Sequence, residues 1–377
     1  MYAVFLLTAA GALVFYVLFG YPMLLAVLGR VRPAPVNRTP ERRRVSILLP
    51  VRNGEAWIQR KLESILALAY ERGLLEIIVV SDGSTDRTEE MVRGFTGAGV
   101  RLLRVPKGGK AAALNAAMQV ASGEIVFFTD VRQRLHPQAL RYLVESFADP
   151  QVGMVTGELL IVNAGAEEEH GAGLYWRYEK WIRRQMNRAR SLIVVTGCIY
   201  AMRRELLVPI PPGILVDDAY LPVSVLLRGY RIYFEERAKA YDFPTSLQTE
   251  FRRKVRTLAG LYQLVGHFPE LLLPWRPTGF HFLSYKFSRL LLPYALITIA
   301  VASFALPHPW RAVALTTQTL FYGLAALDFW IEKPVWKRVS SPVRTFVVLM
   351  AASLCAASVF FVPSHRLWGV TDVRASE

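Results

Sequence analysis

Cysteine is nearly absent: the 377 residues include two, Cys198 and Cys355. They form no metal-like cluster and no disulfide framework. Cys355 falls in an apolar run, and Cys198 reads as a small buried residue rather than a catalytic thiol. The sequence has no GxGxxG and no GxxxxGK[ST], so the two most familiar nucleotide-binding loops are not supported. It also lacks zinc-finger spacing and any basic helix laced with base-stacking aromatics, which argues against nucleic acid as a partner. Acidic residues are outnumbered, 30 against 45 Lys and Arg, for a net charge of +15. That excess suits an anionic substrate or anionic lipid.

What is plentiful is apolar: 53% of the residues are hydrophobic. Tyr2–Leu28 contains no charge and is long enough to cross a hydrocarbon core of about 30 Å. A cleaved signal peptide has a basic start and a shorter apolar core; here no basic residue precedes the run, and Arg30, Arg32 and Arg42-Arg43-Arg44 follow it. The pattern predicts a retained anchor over 1–29 with its N-terminus outside. Leu290–Leu306, Ala312–Trp330 and Phe346–Val362 are three further candidate spans, forming a bundle over 282–363 before a tail, 364–377. Four spans put the middle of the chain and the basic loop Lys333, Lys337, Arg338, Arg344 on one side, which their charge makes cytoplasmic. The expectation is a multi-pass protein of the cell membrane. Asp328, at a span end, reads as interfacial and solvated. Residues 251–281 mix arginines with Leu, Tyr, Phe and Trp275, as in amphipathic helices at a lipid interface.

Between these segments, 42–250 alternates strand-like and helix-like patterns. Val45–Leu49, Glu76–Val80, Val100–Val105 and Ile125–Thr129 read as strands; Glu55–Leu68, Asp86–Phe95, Lys110–Val120 and Pro137–Phe147 read as helices. The fold class is therefore α/β, a mostly parallel sheet flanked by helices, plus transmembrane helices. Ligands of such sheets bind beyond the carboxyl ends of the strands. Polar and glycine residues collect at all four strand ends: Pro50 to Glu55, Ser81 to Asp86, Pro106 to Lys110 and Asp130 to Arg132.

Asp82, at a strand tip, can accept hydrogen bonds from a base or ribose, whereas Gly83 and Asp86 are accounted for by a turn and a helix cap. Lys110 follows two glycines at a helix N-terminus and can hold a diphosphate. Asp130, behind four apolar residues, is placed to ligate a divalent cation bridging two phosphates. Asp217-Asp218 suits either a general base or a helix N-terminus complementing its dipole. The basic cluster Arg252 to Arg256 suits either a lipid-facing stripe or an anion clamp.

In this order the motifs resemble the family 2 glycosyltransferases, inverting enzymes of the GT-A fold, over about Val45–Gly260. The resemblance implies a nucleoside-diphosphate sugar, a UDP-sugar, held by Pro50, Glu55, Asp82, Lys110, Asp130 and Arg132. It implies Asp218 as catalytic base, Thr196-Gly197-Cys198 as the acceptor segment, and Gly197, Asp217, Arg253 and Arg256 around acceptor or phosphate. It implies Mg²⁺ or Mn²⁺ on Asp130. Two departures stand out. The family's second acidic position is Arg132, which is expected to supply part of the missing positive charge to the diphosphate. The Gln and Trp of the processive motif are Arg253 and Thr257, which favours transfer of one or few sugars. The expected acceptor is a lipid or lipid-linked glycan hydroxyl at the membrane. The rival readings are a processive polysaccharide synthase, a non-catalytic membrane scaffold with a degenerate domain, and a transporter; the last is disfavoured by the few polar residues inside the spans.

Overall fold

The computed structural model describes residues 1–162, 174–245 and 247–367. The chain forms two compact units. Among the described residues, an α/β unit takes in 29–162 and 186–245; a helical unit takes in 1–28, 174–185 and 247–367. These limits differ from the expected single domain over 42–250, because 174–185 clusters with the helices.

In chain order the elements are α1 (Tyr2–Val31), β1 (Val45–Val51), α2 (Glu55–Leu66), β2 (Leu75–Asp82), α3 (Thr88–Arg93), β3 (Val100–Val105), α4 (Lys110–Val120), β4 (Ile125–Phe128), β5 (Arg134–Leu135), α5 (Ala139–Glu145), β6 (Val152–Ile161), α6 (Leu174–Ala189), β7 (Tyr200–Arg203), α7 (Asp217–Leu227), β8 (Arg231–Asp242) and α8 (Leu247–His267). The four helices expected in the α/β region form as α2 to α5, three of them shorter: α2 spans Glu55–Leu66, α3 Thr88–Arg93 and α5 Ala139–Glu145.

The eight strands form one sheet in the order β3-β2-β1-β4-β7-β6-β8-β5. The first four are parallel. Beyond β4 the sheet is mixed: β7 runs antiparallel to β4 and β6, β6 and β8 are parallel, and β5 is antiparallel to β8. Side chains alternate across the sheet. Leu48, Ile78 and Val80 meet Ala113, Leu114 and Ala117 of α4 and Leu221 and Val225 of α7 on one face. Ile47, Leu49, Ile77 and Val79 meet Ile58, Leu62 and Ile65 of α2 and Leu140 and Leu143 of α5 on the other. Strand β1 is buried on both faces, which is why its sequence is mostly apolar. The polar segments follow directly on the carboxyl ends of the parallel strands.

In the helical unit, α9 (Pro277–Phe304), α10 (Trp310–Leu327) and α11 (Val335–Phe360) follow α8. Among the described residues three helices, α1, α9 and α11, are long and apolar enough to cross a membrane. The expectation of four is corrected: α10 forms but is not one of them, and Thr316, Thr317, Gln318 and Thr319 put four polar side chains in its middle. Tyr16 and Tyr21 of α1 hydrogen-bond Ser284 Oγ at 2.7 Å and His281 Nδ1 at 2.9 Å on α9. The reading of Asp328 as solvated is also corrected. It is fully buried and pairs with Arg344 at 2.7 Å and Lys337 at 3.3 Å. Charges out of water need such partners.

Candidate active site

The site is built where β2, β4, α4 and α7 end or begin. Lys110 is the first residue of α4, and Asp217 and Asp218 are the first two of α7. Asp130 follows β4 after Thr129. These segments are far apart in sequence and meet at one amine: Lys110 Nζ lies 3.0 Å from Asp130 Oδ1 and 3.2 Å from Asp217 Oδ2. Burial alone would pull the Lys110 amine below its ordinary pKa; Asp130, Asp217 and Asp218 outweigh it and hold the amine charged well above. One cation against three carboxylates leaves a formal charge of −2 in the cluster. A cleft in that state favours a cationic guest.

Asp82 takes a role the sequence does not predict. It is 4% exposed, and its carboxylate accepts hydrogen bonds from the backbone N–H groups of Gly108, at 2.7 Å, and Gly109, at 3.0 Å. The strand tip thus anchors the glycine turn that presents Lys110. Gly83 supports the same turn: its φ is +60°, and a Cβ there would stand 3.0 Å from the Lys107 nitrogen. Glu55 accepts from the Arg87 guanidinium at 2.8 and 2.6 Å, and its own N–H donates to Asp86 Oδ2 at 3.0 Å. The Arg87 contact holds the Glu55 carboxyl below its usual range. Pro50 lies in β1 opposite Val80.

Gly197 closes the wall beside Asp218. A Cβ on it would sit 2.8 Å from Asp218 Oδ2 and 3.2 Å from Asp218 Cβ. The segment is held by Val195 N–H donating to the Asp218 carbonyl at 3.2 Å and by Thr196 N–H donating to Thr156 Oγ1 at 2.9 Å. Gly197→Ala is therefore expected to displace the Asp218 carboxylate and lower turnover about 10²-fold, the usual cost of a displacement near 1 Å. Donor KM is expected to stay within about twofold of wild type; a steady-state measurement giving wild-type kcat would remove Gly197 from the site.

Arg132 is a correction to its expected place on the diphosphate. Its Nη2 lies 2.5 Å from Asp242 Oδ2, at the end of β8, so its charge is taken up by that carboxylate. Asp242 is also bonded by Gln133 Nε2 at 2.8 Å. Arg253 and Arg256 stand on α8 in the helical unit, where Arg253 pairs with Glu250 at 2.7 Å.

Two buried polar residues at the site are not singled out by the sequence motifs. The Lys61 amine donates to Thr129 Oγ1 and to the Gln133 carbonyl, both at 2.6 Å, and burial brings its pKa down to about 7. Its signal is periodicity: Lys61 falls on the same face of α2 as Ile58, Leu62 and Ile65. The Tyr200 ring stacks on Phe128 at 4.6 Å, and its buried hydroxyl has no hydrogen-bond partner among the described residues. Burial, then Asp217, Asp218 and Asp130, hold that phenol protonated. Burial also pushes the Cys198 thiol up to about 12, so it is no nucleophile at neutral pH.

With the geometry in view, residues 46–208 match the model of glycosyl transferase family 2. A mannosyltransferase from Pyrobaculum calidifontis, solved in complex with GDP-Man and Mn²⁺, superposes over 94% of this chain and 99% of its own with a TM-score of 0.71 at 25% identity. The chain carries a family 2 domain over residues 46–208. Its sheet and flanking helices are of the GT-A type. Among curated relatives, the probable glycosyltransferase YdaM of Bacillus subtilis is 26% identical over 249 residues, 60% of this chain and 57% of that protein. The poly-beta-1,6-N-acetyl-D-glucosamine synthase of Staphylococcus aureus is 27% identical over 233 residues, 59% of this chain and 55% of that protein. The chain thus spans little more than half the length of these two relatives.

Proposed function

We propose that this family 2 chain is an inverting glycosyltransferase moving a sugar from a nucleoside-diphosphate sugar, a UDP-sugar, to a hydroxyl of a lipid or lipid-linked glycan at the cytoplasmic face of a membrane. The observation that carries the reading is the meeting of Lys110, Asp130 and Asp217 at hydrogen-bond range with Asp218 beside them. In this reading the diphosphate lies against Lys110 at the N-terminus of α4, whose orphan backbone N–H groups favour an anion. Asp218 takes the proton of the acceptor hydroxyl. The oxygen attacks the anomeric carbon from the face opposite the diphosphate as the bond to the leaving phosphate breaks, inverting that centre. Lys110 holds the charge that develops on the leaving group.

The oxygen donors present fit a hard divalent cation such as Mg²⁺ or Mn²⁺. Asp130 would hold it, and when bound it supplies positive charge to the diphosphate. Among the described residues no three His, Cys, Asp or Glu side chains form a set able to hold a metal alone. That count suits a cation that takes most of its ligands from phosphate oxygens and water. Chelation is expected to reduce transfer to background, with recovery on adding Mn²⁺ or Mg²⁺. Asp130→Asn should raise the metal concentration for half-maximal rate by about tenfold or more, a loss of at least about 1.4 kcal/mol. An Asp130→Asn enzyme with an unchanged metal titration would move the cation elsewhere.

The deciding assay uses purified protein in lipid, a panel of UDP- and GDP-sugars, and release of nucleoside diphosphate as readout. Release from a UDP-sugar that depends on a lipid acceptor supports the proposal; release from GDP-sugars alone would replace the donor, and none from any donor would favour the scaffold reading. A processive synthase is the second reading, favoured by the name of the S. aureus relative. Chain-length analysis of the product separates the two, and Thr257, where the processive motif carries an aromatic, favours short products.

A further inference from the structure

The α/β unit holds a second cavity, of about 130 Å³, whose lining includes none of Asp82, Lys110, Asp217 or Asp218. It is lined by the α2 residues Trp57, Arg60 and Lys61, by Arg132 and Arg134 around β5, and by the end of β8. Arg60, Arg132 and Arg134 face a single carboxylate, Asp242, before Lys61 is counted. Among the described residues Arg60 and Arg134 have aromatic rather than acidic partners. The Arg60 guanidinium carbon is 5.7 Å from the centre of the Phe243 ring, and that of Arg134 is 5.4 Å from the Tyr241 ring. Like charges held together by ring faces leave their N–H groups unspent.

Arg132 supplies the more specific sign. One of its terminal nitrogens meets Asp242, but its Nε is buried with no acceptor among the described residues. A buried donor without a partner is rare in a native structure, and each instance calls for an explanation. The deficit here is of acceptors, among donors whose fork geometry matches oxyanions. The volume sets the size. Pockets for drug-sized ligands run to about 300–1,000 Å³, so this one is too small for a nucleotide sugar and admits a single small oxyanion.

We propose that this cavity is a binding site for a small phosphate, inorganic phosphate or the phosphate of a small monoester, separate from the cleft that holds the donor diphosphate. The site is wired to the candidate active site. Lys61 donates to Thr129 Oγ1, which in turn donates to the Cys198 carbonyl at 2.8 Å. Thr129 precedes Asp130, and Cys198 follows Gly197. An anion drawing on Lys61 therefore acts on the backbone that carries both.

The test is calorimetric titration of the full chain in lipid nanodiscs with inorganic phosphate, with glycerol phosphate, and with chloride as control, each repeated with UDP at saturation. Saturable phosphate binding that persists with UDP present is expected. Tighter binding of glycerol phosphate than of inorganic phosphate would identify the monoester as the ligand, and the reverse would identify the free ion. Arg60 and Arg134 are exposed, so the double variant Arg60→Gln/Arg134→Gln should fold. It is expected to weaken phosphate by at least about tenfold, since charged hydrogen bonds are lost, with phosphate-free turnover unchanged. Lys110→Met is expected to leave phosphate affinity unaltered. Displacement of phosphate by UDP, binding no stronger than chloride, or full affinity in the double variant would each overturn the proposal.

Discussion

Asp218→Asn is expected to lower sugar transfer about 10²–10⁴-fold, the range a positioned general base contributes, while donor affinity changes little. The substitution keeps the side chain's shape, so the Gly197 wall beside it stays in contact. It removes the negative charge and the basicity that let the carboxylate take the acceptor proton. Neighbouring Asp217 cannot substitute, because its carboxylate is paired with Lys110 at 3.2 Å and is 8% exposed. The measurement is single-turnover transfer alongside equilibrium binding of the donor. Turnover within a few-fold of wild type would sink the assignment of Asp218 as the base. Loss of donor binding in step with transfer would instead give Asp218 a binding role.

Lys110→Met should have the second-largest effect, and it acts on three quantities at once. Donor affinity is expected to fall about 10–100-fold, since a charged hydrogen bond to the diphosphate is lost. Stability should fall by about 2–4 kcal/mol. Breaking a fully buried pair costs about 3–5 kcal/mol, and Asp130, 37% exposed, can recover some hydration. The metal requirement should move the other way. Removing the one cation takes the cluster from a formal −2 to −3, so a divalent ion is expected to bind more tightly. Metal titration of the variant separates a lysine that neutralises the leaving group from one that only braces two carboxylates. A brace alone would lower stability and leave donor KM near wild type at permissive temperature.

Much of the α/β architecture was readable because its signals are local. A short, mostly apolar and β-branched run such as Val45–Val51 suits a strand buried on both faces, and Lys110–Val120 begins after a glycine with a φ of +86° and forms over the residues expected. The polar strand ends were readable as a site for the same reason. The partners of the side chains were not. Asp82 reads as a nucleotide ligand, yet it binds the backbone of Gly108 and Gly109, a contact set by how β2 and β3 lie side by side. Arg132 reads as a phosphate ligand, yet it turns to Asp242, 110 residues away. Asp328 reads as solvated from its position at a helix end, whereas its burial depends on Arg344 and Lys337 of the following helix.

By itself, then, the order of residues determined the elements and which chemical groups reach the strand tips, because backbone propensity and hydrophobic period act over a few residues. Only the tertiary structure decided which carboxylate meets which cation. Coulomb and hydrogen-bond energies depend on separations of a few ångströms between groups that the chain holds tens of residues apart, and those separations exist only once Asp130, Asp217 and Lys110 are brought together by the sheet.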